Sequence, residues 1–228
     1  EAVTTTDTIT VTLETGATDR TCIIPIMTNA TLGTCTYTVQ AGDTSADLNV
    51  NTIAATTGSV LDIAGNTANL TPTSNLAATS AIVIDTTAPD AFTVGGVFAR
   101  GGTSVLNYWN STNTAVDVVV PIANDTSLVG GTIQLQAEAN GSFVNVGSPI
   151  TITSGLLGNT IGGFAISEVD LEAILGFVDG VAVHFTAIIT DLAGNPTTGT
   201  QSVTALTVDR TAPTVNAGTD KEVNTLAA

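Results

Sequence analysis

The stretch Val181-Ala-Val-His-Phe-Thr-Ala-Ile-Ile189 alternates along its length in a way that decides the fold class. Every second residue is apolar and falls on one face: Val181, Val183, Phe185, Ala187 and Ile189. Thr8-Ile-Thr-Val-Thr-Leu13 repeats the pattern, with threonine on the outer face. Because successive side chains point to opposite faces of a strand, both stretches predict strands that are buried on one side.

Short β-branched segments bounded by Gly, Asn, Asp or Pro occur along the rest of the chain. The predicted strands are residues 46–53, 81–85, 115–121, 132–137, 143–152 and 202–208. Strands at such intervals are typical of antiparallel sandwiches, with threonine covering the solvated face. One segment departs from the pattern, because Ser167 and Asp170 form a capping pair before an apolar turn that Gly176 can end. It predicts one short helix.

The charge balance excludes two classes of partner. Among 228 residues there are 4 Lys plus Arg against 20 Asp plus Glu, and the net charge is −16. So few cations cannot neutralise the phosphates of a nucleic acid, nor form a polybasic patch for anionic lipid. No apolar run reaches the roughly 20 residues of a membrane span. We therefore expect an acidic all-β protein with no nucleic-acid partner and no membrane insertion in this segment.

Two motifs occur twice in the same order. Asp62-Ile-Ala-Gly-Asn66 recurs as Asp191-Leu-Ala-Gly-Asn195, and Ile84-Asp-Thr-Thr-Ala-Pro89 recurs as Val208-Asp-Arg-Thr-Ala-Pro213. A repeated turn, final strand and linker indicate an array of domains. The predicted domains are residues 1–89 and 90–213, and residues 214–228 are predicted to begin a further domain or to be an exchangeable strand.

The paired motifs resemble the tandem bacterial immunoglobulin-like (BIg-type) repeats of large secreted or surface adhesins. Tyr37-Thr-Val-Gln-Ala-Gly-Asp43, followed by Asp47-Leu48, resembles one subtype of these repeats. The resemblance implies tandem Ig-like antiparallel β-sandwiches, an extracellular or cell-surface location, and calcium between domains. Compared with such repeats, the domain at residues 1–89 is expected to lack its first strand.

The Asp-x-Ala-Gly-Asn motif has a structural and a functional interpretation. Structurally, the Asp side chain accepts backbone N–H groups in a turn whose Gly adopts positive φ. Functionally, in an Ig-like sandwich the turn before the last strand shares a pole with the second-to-third loop and the incoming linker. Asp85, Asp191 and either Asn124 or Asp125 are therefore expected to converge, and hard oxygen ligands of this kind suit Ca²⁺.

The same reasoning extends the predicted calcium ligands to the other junctions. Asp62 would be half of a site with a preceding linker, and Asp209 half of a site with a following domain. Asp90 is an outside candidate.

Cys22 and Cys35 are separated by twelve residues that include Pro25 and Gly33. The apolar runs beside them predict a hairpin that could place the two sulfurs on facing strands. A disulfide there would stabilise the fold by roughly 3 kcal/mol and would indicate an oxidising compartment. Two buried thiols are the alternative, and the absence of a Cys-x-x-Cys pair argues against a metal site.

No catalytic constellation is recognisable in the sequence. His184 is the only histidine and falls on the outward face of its predicted strand. We therefore expect a non-catalytic adhesion or structural repeat forming a rigid, calcium-stiffened rod. Its partners would be neighbouring Ig-like domains or copies of itself, with a cell-surface or glycan ligand. Two alternatives stay open: a filament in which residues 214–228 complete the sheet of the next subunit, and a carbohydrate-binding module that uses Trp109.

Overall fold

The computed structural model describes residues 1–72, 76–215 and 218, and in that part the protein is an all-β sandwich protein with one short α-helix. The chain forms two compact units, which divide between Pro89 and Asp90. The first unit is Glu1–Pro89 together with Thr190–Pro196, and the second is Asp90–Ile189 together with the chain from Thr197. Of the predicted segment 214–228, only residues 214, 215 and 218 lie in the described part.

The described residues of the first unit form five strands. They are β1 (Val3–Thr5), β2 (Ile9–Leu13), β3 (Arg20–Ile24), β4 (Val50–Ala55) and β5 (Val60–Asp62). β2 lies between β3 and β4 in an antiparallel sheet, and β1 pairs antiparallel with β5. The alternation predicted for β2 is confirmed, since its first, third and fifth residues are buried and the threonines between them are not.

The core of the first unit is small. Its buried members are Val11, Leu13, Cys22, Leu48 and Ile84. Cys22 in β3 forms a disulfide with Cys35, across a Cα–Cα distance of 5.6 Å. The second arm of the expected hairpin is not a strand, because residues 32–40 have no regular structure. The disulfide therefore ties an irregular segment to the sheet.

The described residues of the second unit form the remaining ten strands and the α-helix, with two exceptions at strand ends. They are β6 (Val97–Arg100), β7 (Tyr108–Trp109), β8 (Ala115–Pro121), β9 (Thr132–Glu138), β10 (Val144–Asn145), β11 (Ile150–Thr151), β12 (Thr160–Ser167), α1 (Glu168–Glu172), β13 (Ala182–Thr190), β14 (Pro196–Thr198) and β15 (Leu206–Val208). The exceptions are Thr190 at the end of β13 and Pro196 at the start of β14, which fall in the first unit. Short 3-10 helices are formed by Leu76–Ala78, Thr126–Leu128 and Ser154–Leu156.

Two sheets make up the sandwich of the second unit. One has the order β12-β8-β6, and the other has the order β10-β9-β13-β15-β7, with β11 added to β9 and β14 to β13. This division matches the A-B-E and C-F-G sheets of an immunoglobulin-like sandwich. Alternate residues of β8 and β13, such as Val118 and Phe185, are fully buried, and Trp109 is the largest buried side chain.

The sequence predicted some elements better than others. Strands 115–121 and 132–137 and the alternation of 181–189 are confirmed. Segment 143–152 forms strands only near its ends, since Gly147 has positive φ and Pro149 has no N–H to donate. Segment 81–85 forms only an isolated bridge between Ile84 and Ser45, and segment 202–208 is a strand only from residue 206.

The helix begins where the capping pair predicts. Ser167 accepts the Asp170 N–H at 3.2 Å and donates its hydroxyl to Asp170 Oδ2 at 2.7 Å. The helix is only five residues long, and no helix in the described ranges is long and apolar enough to cross a membrane.

Reduction of the Cys22–Cys35 disulfide should destabilise the first unit by about 3 kcal/mol, because the unfolded chain loses a loop constraint. Urea unfolding followed by far-UV circular dichroism, with and without reductant, measures this change. Trp109 is the only tryptophan, so its fluorescence reports the second unit and serves as the internal control. The prediction is contradicted if reductant leaves the urea midpoint of the first unit unchanged. It is also contradicted if reductant shifts the midpoint reported by Trp109 fluorescence by the same amount.

Candidate functional site

The two Asp-x-Ala-Gly-Asn turns have the same hydrogen bonds. Asp62 accepts the backbone N–H of Asn66 on Oδ1 and the Asn66 amide on Oδ2, both at 2.7 Å. Asp191 accepts the same two groups from Asn195, both at 2.8 Å. In each turn the Asp N–H also donates to the Asn carbonyl, at 2.9 Å and 3.1 Å. We call this arrangement the Asp–Asn clasp.

Each residue type in the clasp has a physical reason. A carboxylate only accepts hydrogen bonds, and the Asn amide supplies a side-chain donor beside its backbone donor. The glycine before the Asn has φ of +88° at Gly65 and +97° at Gly194, a region that L side chains rarely adopt. In the first clasp the Asn66 side-chain amide, with its backbone N–H, lowers the pKa of Asp62.

The second clasp makes an additional contact. Asn195 Nδ2 also donates to the backbone carbonyl of Asp85 at 3.1 Å, and both residues belong to the first unit. Asp191 is only 3% exposed, whereas Asp62 is half-buried. This contact explains why Thr190–Pro196 packs with the first unit, although the repeat places that segment in the second domain.

The predicted calcium ligands are distributed over several places. The structure brings Asp191 and Asp85 into the first unit, and Asp85 Oδ1 accepts the Thr87 N–H at 2.9 Å. Asn124 and Asp125 belong to the second unit, where Asp125 caps a 3-10 helix by accepting the Ser127 N–H at 2.9 Å.

Asp62, Asp209 and Asp90 do not add to one cluster. Asp62 is part of its clasp, Asp209 lines a shallow hollow with Tyr108, and Asp90 is exposed. Within residues 1–72, 76–215 and 218, no three His, Cys, Asp or Glu side chains are grouped so that they could bind one metal ion. A cation at Asp85 and Asp191 would therefore need backbone carbonyls and water, and would share oxygens that already accept hydrogen bonds.

The three arginines all form ion pairs. Arg20 pairs with Asp43 at 2.8 Å, Arg210 pairs with Glu172 at 3.0 Å, and Arg100 pairs with Asp117. Asp43 and Asp117 are buried. Each guanidinium group therefore pairs with a carboxylate of its own unit.

Asp43 is the most heavily hydrogen-bonded of these carboxylates. It is 1% exposed and accepts from Arg20 Nε, from the Tyr37 hydroxyl and from the Gln40 N–H. The Tyr37 hydroxyl, then the Gln40 N–H and Arg20, lower the pKa of Asp43. Burial, and then the bond to Asp43, raise the pKa of Tyr37 to about 12. We call Arg20, Tyr37 and Asp43 the Asp43 cluster. In the sequence, Tyr37 and Asp43 stand out only as part of the resemblance to one subtype of BIg-type repeats.

The remaining candidates, His184 and Trp109, lie on different strands of the second unit. His184 is half-buried in β13, and its Nδ1 is buried without a hydrogen-bond partner. Trp109 is fully buried and donates to Glu172, so its ring cannot stack on a sugar. This burial does not favour the carbohydrate-binding role considered for Trp109, which stays a prediction.

Comparison with models of known protein families and with curated proteins finds no match to this chain. The resemblance to BIg-type repeats rests on the two motif pairs and stays a prediction.

Substituting Asn195→Ala should destabilise the first unit by about 1–2 kcal/mol, because the Asp191 carboxylate and the Asp85 carbonyl both lose their amide donor. Asn66→Ala is the matched control, since Asn66 donates to its own turn only, and it should cost less. Urea unfolding of the two variants measures the difference. Equal losses would contradict a specific role for the Asn195–Asp85 contact.

Acid should destabilise the first unit through Asp43. The pKa of Asp43 in the folded protein lies below the ordinary 3.8. The contribution of Asp43 to the free energy of unfolding is therefore complete above pH 3.8 and is lost as the pH falls through the pKa of the folded state. Asp43→Asn should be less stable than the wild type at pH 7 and should lose less stability between pH 5 and pH 2.5. Urea midpoints across that range measure this effect, with Asp47→Asn at an exposed position as control. Parallel profiles for wild type and Asp43→Asn would refute it.

Proposed function

We propose that this chain is a non-catalytic structural segment of an extracellular or cell-surface repeat protein, in which β-sandwich units act as spacers. One observation carries the proposal: the same Asp–Asn clasp is built twice with the same hydrogen bonds, each time ahead of the same Asp-x-Thr-Ala-Pro segment. Repetition of a structural turn together with its linker is what a protein that extends by adding units requires.

Other features of the units favour this proposal. The disulfide suits an oxidising compartment, because such bonds are rare in reducing ones. The arginines are engaged in ion pairs and the one tryptophan is buried, so the groups that most often anchor a ligand are used for folding. Neighbouring units of the same kind are the partners that such a segment needs.

Calcium is a separate part of the proposal. A chain with a net charge of −16 carries self-repulsion that a divalent cation would reduce. The Asn195 contact places the Asp191 turn against the Asp85 carbonyl, and carboxylate and carbonyl oxygens are what Ca²⁺ accepts as ligands. Asp85 and Asp191 are the residues that would bind it.

Small-angle X-ray scattering of the full chain tests both parts. For a spacer, we expect a monomer with one preferred separation between the units, independent of protein concentration. Calcium should narrow the range of separations in the wild type and in Asp47→Asn, but not in Asp85→Asn/Asp191→Asn. Freely varying separations with and without calcium would contradict the spacer. A fixed separation that calcium does not change would contradict only the proposed calcium site.

A further inference from the structure

The carboxylate of Glu172 joins two segments of the second unit that are far apart in sequence. Its Oε1 accepts the indole N–H of Trp109 in β7 at 2.9 Å. Its Oε2 accepts from Arg210 Nη1, just beyond β15, at 3.0 Å. Glu172 is the last residue of α1, so the helix places one charged group between the beginning and the end of the unit.

A second carboxylate and an aromatic ring complete the arrangement. Asp179 Oδ1 accepts the backbone N–H of Arg210 at 3.0 Å and lies 3.5 Å from its Nε, and Asp179 Oδ2 accepts the Thr211 hydroxyl. The Arg210 guanidinium lies 5.3 Å from the centre of the Phe177 ring, which meets the Trp109 ring edge-on at 6.3 Å. The segment that leaves the unit is thus bonded by its backbone and its side chains.

The strands beneath these contacts run parallel. β15 pairs parallel with β7, and its bonds include Thr207 N–H to Asn107 O and Asp209 N–H to Trp109 O, both at 2.8 Å. A second parallel contact links Thr93 and Thr200 near the beginning of the unit. β7, which follows β6 in the chain, and β15, the last strand of the unit, are therefore neighbours that run in the same direction.

This direction has a mechanical consequence. Tension on an array pulls the segment entering at Asp90 and the segment leaving at Pro213 in opposite directions. Because β7 and β15 are parallel, a pull that reaches these two strands slides them past each other and loads the hydrogen bonds between them together. Glu172 bonds to side chains on both sides of that sliding contact, so the strands cannot slide until the Trp109 or Arg210 bond breaks.

We propose that Glu172 and Asp179, with Arg210, form a force-resisting latch that fastens the segment leaving the second unit, at Arg210 and Thr211, to β7. The proposal rests on the spacer function for its purpose, because only a segment under tension needs it. Charged hydrogen bonds that are partly shielded from water are the stronger kind, and the Arg210 and Glu172 side chains are about two-thirds buried. The first unit differs here, since Thr86 occupies the position of Arg210 and bonds to the backbone of Gly42 and Asp43.

The sequence repeat supplies a precise test variant. Arg210→Thr converts Asp-Arg-Thr-Ala-Pro into the Asp-Thr-Thr-Ala-Pro of the first copy. Glu172→Gln removes the charge with little change in shape. Glu168→Gln makes the same chemical change at an exposed position of the same helix and is the matched control.

Force-clamp unfolding of the full chain, held at its two ends, measures the latch directly. The second unit releases about 40 nm of chain on unfolding. The unfolding step of the first unit is recognised because reduction of its disulfide lengthens that step by about 4 nm. We expect Arg210→Thr and Glu172→Gln to unfold the second unit at least tenfold faster at a given force, with the first unit unchanged. The double variant should be little faster than Arg210→Thr alone, since the two changes break the same bond.

The latch proposal is overturned if the second unit unfolds at the same rate in Arg210→Thr and in Glu172→Gln as it does in Glu168→Gln. If Arg210→Thr does not fold, Arg210→Lys replaces it. Lysine keeps the positive charge but loses the forked contact with both carboxylates. Unfolding of Arg210→Lys and Glu172→Gln at the rate of Glu168→Gln would then overturn the latch proposal. A failure of the spacer proposal would be seen in the scattering experiment and not here, because unfolding rates at constant force do not depend on the separation between the units.

Discussion

Carboxylates outnumber cationic side chains five to one in this chain, and this imbalance constrains the way each acidic group can be accommodated. A carboxylate removed from water must accept hydrogen bonds or face a positive charge. The described residues meet this requirement in several ways, among them the Arg100–Asp117 ion pair. The Asp–Asn clasp uses a neighbouring amide, the Asp43 cluster uses a tyrosine and an arginine, and the latch uses an indole and an arginine shared by two acids.

The two units depend on these solutions to different degrees. The first unit has a small core, so the disulfide and the Asp43 cluster hold its irregular segment in place. The second unit buries a larger set of side chains around Trp109 and Phe185, and its latch acts at the edge of that core. The first unit therefore has a disulfide beside a small core, whereas the second has a larger core and no disulfide among its described residues.

Periodicity in the sequence predicted the strands that bury one face, because burial on alternate positions is a local signal. Residues 81–85 were mispredicted as a strand, since an apolar segment can be buried without a full ladder of backbone bonds. The turn chemistry of Asp-x-Ala-Gly-Asn was predictable for the same local reason. The Asn195–Asp85 contact, the Asp43 cluster and the latch were not, because each joins residues that only the folded topology brings together. A sequence signal for the latch existed in Arg210, an arginine inside a repeated linker of a chain with almost no cations.

In each Asp–Asn clasp the Asn side-chain amide donates to the Asp of the same turn, and this hydrogen bond requires no other partner. Hydrogen exchange of the side-chain amides of Asn66 and Asn195, followed by NMR in a calcium chelator, measures this most directly. We expect both amides to exchange more slowly than those of exposed asparagines, and Asn195 to exchange more slowly than Asn66. Free exchange of both amides until calcium is added would contradict it.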